Sequence, residues 1–153
     1  MTLNIGDKAP NFKAETDDGK VLSLSDLKGK TFVLYFYPKD DTSGCTKEAC
    51  TFTENISAFN KLDVTVIGVS KDSVASHQKF KTKYGLKFPL LSDADGKICE
   101  AYGTWIEKSM YGRKYMGIDR ATFIIGADGK IKSIWRKVKV AGHIEDVLED
   151  LKN

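Results

Sequence analysis

Apolar residues along this 153-residue chain change their spacing several times, and each change marks an element. Thr31 to Tyr37 (TFVLYFY) and Val64 to Val69 (VTVIGV) are apolar, β-branched and aromatic without polar alternation, which predicts strands covered on both faces. Between them Ala49, Phe52, Ile56, Phe59 and Leu62 recur at steps of three and four, predicting one amphipathic helix after the loop Lys39 to Gly44. Val74, His77, Phe80 and Tyr84 repeat that spacing, and Gly85 supplies a left-handed stop. Asn11 to Leu27 reads as two short strands around Asp17-Asp18-Gly19-Lys20, and Asp93 can cap a short helix through Tyr102. Thr122 to Ile125 and Ile131 to Trp135 flank Asp128-Gly129 as a hairpin, and Ile144, Val147, Leu148 and Leu151 give a final helix. The order ββ-β-α-β-α-ββ-α predicts an α/β domain, a central mixed sheet flanked by helices, over residues 1–153.

Composition narrows the classes. Hydrophobic residues make up 41% and charged residues 29%, as in a globular chain whose core needs no disulfide or metal. The net charge of +3 arises from lysines scattered along the sequence, which argues against a nucleic-acid surface. No apolar run approaches the ~18 residues of a membrane span, and MTLNIGDKAPNF lacks the pattern of a secretion signal. A cytoplasmic location without membrane contact is expected. Three cysteines in a reducing compartment then point to catalysis, metal binding or burial rather than a disulfide scaffold. Metal is disfavoured, because His77 and His143 are far from each other and from the cysteines, and Cys-x4-Cys has no second pair. Cys99, beside Ile98 and Tyr102, reads as core, and the Tyr35–Tyr37 pair with Trp105 and Trp135 as packing.

Cys45 is different because it opens a helix at the end of a strand-to-helix loop. A free thiol is only about 3% thiolate at pH 7, and the thiolate is the nucleophile. Unpaired amides and the helix dipole favour an anion there by up to about 2 kcal/mol, roughly one pKa unit, so stronger activation needs a cation from elsewhere.

The string Pro38-x-x-x-Thr42-x-x-Cys45, with Glu48, Cys50 and Arg120 in Arg120-Ala121-Thr122-Phe123, resembles the peroxiredoxin signature, in particular that of the PrxQ or bacterioferritin-comigratory class. The likeness runs over nearly the whole chain. Ser43 is a departure, standing where members can carry proline; it alters loop stiffness and removes no catalytic group. The resemblance implies a thioredoxin-like fold and a thiol peroxidase acting on hydrogen peroxide and organic hydroperoxides, with no cofactor. It makes Cys45 the peroxidatic thiol, Arg120 the missing cation, Thr42 the hydroxyl that orients the peroxide, Pro38 the pocket's shield and Glu48 the residue that holds the arginine. A sulfenic acid on Cys45 would condense with Cys50, the resolving thiol, and thioredoxin or a similar dithiol protein would reduce the disulfide. Members of the class also lead one to expect a monomer. Cα atoms five residues apart in a helix are about 8.7 Å apart, beyond the ~7 Å reach of a disulfide, so the first turns must unwind. Two other classes compete: a thiol–disulfide oxidoreductase, which lacks its Cys-x-x-Cys and a proline before Thr122, and a non-enzymatic redox sensor using the same two thiols.

Overall fold

The computed structural model describes residues 3–153. Its centre is a five-stranded mixed sheet, with β3 (Thr31–Phe36), β4 (Val64–Ser70) and β5 (Leu90–Ser92) parallel, and β8 (Ala121–Ile125) antiparallel to β3 and to β9 (Ile131–Trp135). Strand order is β5-β4-β3-β8-β9. The period-two geometry of β3 feeds two cores at once. Phe32, Leu34 and Phe36 point to one face, where they meet Phe12, Leu27 and Ile98, Cys99 and Tyr102 of the short helix α4 (Lys97–Ala101). Val33, Tyr35 and Tyr37 point to the other, under α1 (Ser43–Glu54), α2 (Ile56–Lys61), α3 (Val74–Tyr84) and α5 (His143–Lys152). This is the thioredoxin-like layout that the alternation of elements predicts.

Local chemistry departs from the sequence expectation in several places. The helix expected to run unbroken through Leu62 breaks at Asn55, whose side-chain amide donates to the Thr51 carbonyl at 2.9 Å and so competes with the backbone ladder. The N-terminal strands shrink to β1 (Lys13–Glu15) and β2 (Val21–Ser23), and Leu24–Leu27 winds into a 3-10 turn. Asp93 does serve α4, but from outside its first turn, where its two oxygens accept from the Ile98 and Cys99 amides at 3.0 and 2.8 Å. The fourth difference is a hairpin, β6 (Trp105–Met110) and β7 (Arg113–Ile118), which the pattern did not predict. Tyr111 and Gly112 both take positive φ at its tip. A tyrosine there hides the turn, since such turns usually announce themselves with Asn or Asp.

For the site, the placement of α1 matters most. Ala49 and Phe52 are fully buried, with Phe52 stacked on Tyr35 at 4.6 Å between centroids. Burying a phenylalanine contributes roughly 1.5–3 kcal/mol, so this stripe fixes the helix over the sheet and fixes where its N-terminus lies. Among the described residues no helix is long and apolar enough to cross a membrane.

Candidate active site

Cys45 lies in the first turn of α1 with Thr42 at the N-cap, and its side chain is 1% exposed. The first intrahelical bond runs from the Thr46 amide to the Thr42 carbonyl, so the amides of Ser43, Gly44 and Cys45 precede it and face forward. Among the described residues the N-cap side chain makes no bond to them, which leaves the helix start open to an anion. The Thr42 hydroxyl donates instead to the Lys39 carbonyl at 2.9 Å. It closes the approach turn, and its oxygen lone pairs stay open to a donor.

Arg120 comes from the residue before β8 and reaches across to the helix. Its Nη2 donates to Cys45 Sγ at 3.4 Å, and its Nη1 to Glu48 Oε1 at 2.7 Å. Gly44 makes room for it: a Cβ there would stand 3.1 Å from Nη2. Burial opposes the guanidinium charge, but the negative charges of Glu48 and Cys45 outweigh that cost and hold it more firmly charged. Glu48, completely buried, has its carboxyl pushed up to about 7 by desolvation, with Arg120 pulling the other way. Among the described residues its second oxygen finds no partner, as is also true of the buried Tyr35 hydroxyl. The arginine is therefore shared between a sulfur and a carboxyl whose proton affinity is raised by burial.

Of the residues singled out in the sequence, Cys45, Glu48 and Arg120 meet in one cluster. Pro38 is half-buried and stands with Arg120 on the wall of an open groove of about 470 Å³, with Ile106, Tyr115 and Val138. Thr42 is at the helix start. Cys50 lies five positions further along the same continuous helix, half-buried, its thiol pushed up by burial and by Glu54. All three cysteines are free thiols. Cys99 is fully buried in the core on the opposite face of the sheet.

Two features of this region escaped the sequence. Lys108 of β6 lines the same groove, its ammonium destabilised by partial burial and by Arg120 while Asp119 opposes. Nothing in its local sequence signals this, because the hairpin that carries it was not recognised. Asp40, in the loop before α1, is the second, and the Asp40-Asp41 pair was the available signal. A larger groove of about 790 Å³ lies elsewhere, lined by residues such as Phe12, Val74, Asp93 and Ile98, and contains no thiol.

Comparison with known proteins gives a consistent result. Residues 5–134 match the AhpC/TSA family. Peroxiredoxin Bcp of Bacillus subtilis is 49% identical over 153 residues, covering 100% of this chain and 98% of its own length. The crystal structure of a PrxQ cysteine-to-serine variant from Xylella fastidiosa superposes with a TM-score of 0.94 at 42% identity, covering 99% of this chain and 97% of that one. The Xanthomonas campestris bacterioferritin comigratory protein, described for its alkyl peroxide reduction activity, superposes with a TM-score of 0.88 at 42% identity, covering 92% and 90%.

Proposed function

Because the chain belongs to the AhpC/TSA family and is a thiol-dependent peroxidase, we propose that it reduces hydrogen peroxide and organic hydroperoxides at Cys45, with Cys50 as resolving thiol. The observation that carries this reading is the Arg120 guanidinium donating to the Cys45 sulfur while anchored on Glu48.

In the first step the Cys45 thiolate attacks the terminal peroxide oxygen. A sulfur–oxygen bond forms, the oxygen–oxygen bond breaks, and the departing alkoxide or hydroxide takes up a proton to leave as alcohol or water. The sulfur is oxidised to sulfenic acid. Negative charge moves from sulfur to the leaving oxygen, so donors already in place matter, each on the order of 2.7–4 kcal/mol. Arg120 and the open amides of α1 are the donors available, while the Thr42 hydroxyl, whose proton goes to the Lys39 carbonyl, can accept from the peroxide hydroxyl. Pro38, Ile106 and Val138 give the otherwise polar, open groove beside Arg120 an apolar edge against which the organic part of a hydroperoxide can rest.

In the second step the Cys50 sulfur attacks the sulfenic sulfur. The disulfide forms, the sulfur–oxygen bond breaks, and hydroxide leaves with the Cys50 proton as water. Since α1 is continuous from Ser43 to Glu54, its first turns must unwind for the two thiols to meet. A dithiol protein of the thioredoxin kind then supplies two electrons, the chain acting as a monomeric single domain in the cytoplasm. Cys50→Ser tests the scheme: it should consume about one equivalent of peroxide and then stall with thioredoxin as donor. Normal turnover by that variant would move the resolving role elsewhere.

A further inference from the structure

The loop that delivers Cys45 to its helix is gripped from the side by residues that take no part in the chemistry above. Asp40 is 8% exposed, and its carboxylate is fully engaged. Oδ1 accepts from the Tyr37 hydroxyl at 2.6 Å, while Oδ2 accepts from the Ser76 hydroxyl at 2.8 Å and meets His77 Nδ1 at 2.7 Å. His77 is wholly buried, and its Nε2 faces the Leu91 carbonyl at 3.1 Å. A carbonyl only accepts, so Nε2 carries a hydrogen, and the Nδ1–Oδ2 contact then holds a second proton between the two groups. The backbone amide of Asp40 also donates, to Asp72 Oδ2 at 2.8 Å. One residue further on, Asp41 sits at φ 59°, and its carboxylate accepts from Lys83 Nζ at 2.8 Å and from the Tyr84 hydroxyl. The first and last turns of α3 thus hold two consecutive residues, five and four positions before Cys45.

Asp40, Asp72 and His77 also lie within 4.8 Å of one another, as a cation's ligands would. Their facing atoms are already matched with protein donors: Asp72 Oδ2 accepts from Ser70 at 2.6 Å as well as from Asp40. The geometry is that of a clamp.

We propose that Asp40 and His77 are positioning residues that keep α1 wound with Cys45 against Arg120, and so set how readily the segment unwinds to join Cys45 to Cys50. The proposal rests on Cys50 being the resolving thiol. Bringing the two Cα atoms from about 8.7 Å to within about 7 Å requires the chain entering α1 to shift, and that chain is the clamped loop. The bonds of Asp40 are therefore present in the wound, reduced form and strained or lost in the unwound one. They favour peroxide attack and oppose disulfide formation.

Rapid-quench kinetics on the reduced full-length protein separates the two steps, with dimedone capturing the sulfenic acid. His77→Gln removes the pair's proton and shortens the link, and Tyr37→Phe deletes one donor to Asp40 while keeping the ring. Disulfide formation should quicken about tenfold in His77→Gln and less in Tyr37→Phe, while peroxide attack slows several-fold in the same order. A tenfold bias also makes the Cys45–Cys50 midpoint potential about 30 mV more negative, since only the reduced form is clamped. A role in general stability alone would lower the melting temperature without driving the two rates in opposite directions. Rates and potential unchanged in both variants, or both rates slowed together, would overturn the clamp. Should His77→Gln not fold, Tyr37→Phe decides alone. Failure of the resolving assignment is separate: normal turnover of Cys50→Ser would reveal it, while the peroxide-attack rate would still report on the clamp.

Discussion

Cys45 and Cys99 are both buried thiols on helices packed against the same sheet, one on each face, at 1% and 0% exposure. Around Cys45 the sheet contributes Arg120, whose Nη2 touches the sulfur. Around Cys99 it contributes apolar side chains, and the nearest carboxylate, Asp93, spends its oxygens on the α4 amides. Burial and the negative Asp93 push the Cys99 thiol up, well beyond the range where a thiolate forms near neutrality. Two equally buried thiols thus face opposite charges, a guanidinium at Cys45 and a carboxylate at Cys99.

The sharpest way to break this comparison is to exchange the thiols for hydroxyls. Cys45→Ser should abolish steady-state peroxide turnover, to below about 1% of wild type, because serine is hardly ionised near neutrality. Cys99→Ser should leave turnover within about twofold in the thioredoxin-coupled assay. Equal losses from the two would erase the distinction. Next, Arg120→Met removes the charge that marks the Cys45 face, and the rate constant for peroxide attack should fall about 10²-fold or more. An unchanged constant would make Arg120 structural.

Glu48 sharpens the contrast through pH. Its folded carboxyl is raised to about 7 from an ordinary 4.5, so the folded protein binds the extra proton between those values. The stabilisation is complete below about pH 4.5 and is lost as the pH rises through 7. In denaturant unfolding, the free energy of the reduced wild type minus that of Glu48→Gln should fall by on the order of 1–3 kcal/mol from pH 5 to 8, while His143, lowered to about 4 by burial, adds a rise over the same range to both proteins. A stability curve of the same slope in the variant would assign the titration to another group. The smallest effect is expected at the quiet face: Cys99→Ala should cost about 1 kcal/mol of unfolding free energy, the loss of a small buried group, and leave the peroxide-attack rate unmoved.

Legibility in the sequence followed local determination. TFVLYFY and VTVIGV form strands because no other element suits uniformly buried β-branched and aromatic runs, and both appear where the pattern puts them. The break at Asn55 was hidden, since the apolar stripe keeps its period across it and the Asn55 side chain bonded to the Thr51 carbonyl is a single-residue feature. Strand β5 was missed because three residues are too few to show a period, and β6–β7 because an exposed hairpin needs no apolar face. At the site, the short-range part was readable from Pro38, Thr42, Cys45 and Glu48. Arg120 lies 75 positions from Cys45, and only a resemblance across the whole chain brought it forward. The contacts of Asp40 with His77 and of Lys108 with the groove are products of tertiary packing, and beyond the Asp40-Asp41 pair neither leaves a local mark.

The central claim is that charge at one face of the sheet makes Cys45 the thiol that peroxide oxidises. Reduced Cys50→Ser protein treated with one equivalent of hydrogen peroxide in the presence of dimedone, then digested and mapped by mass spectrometry, tests it most directly. The account predicts close to one adduct per chain, on Cys45, with Cys99 unmodified. An adduct on Cys99, or none on Cys45 while peroxide is consumed, would contradict it.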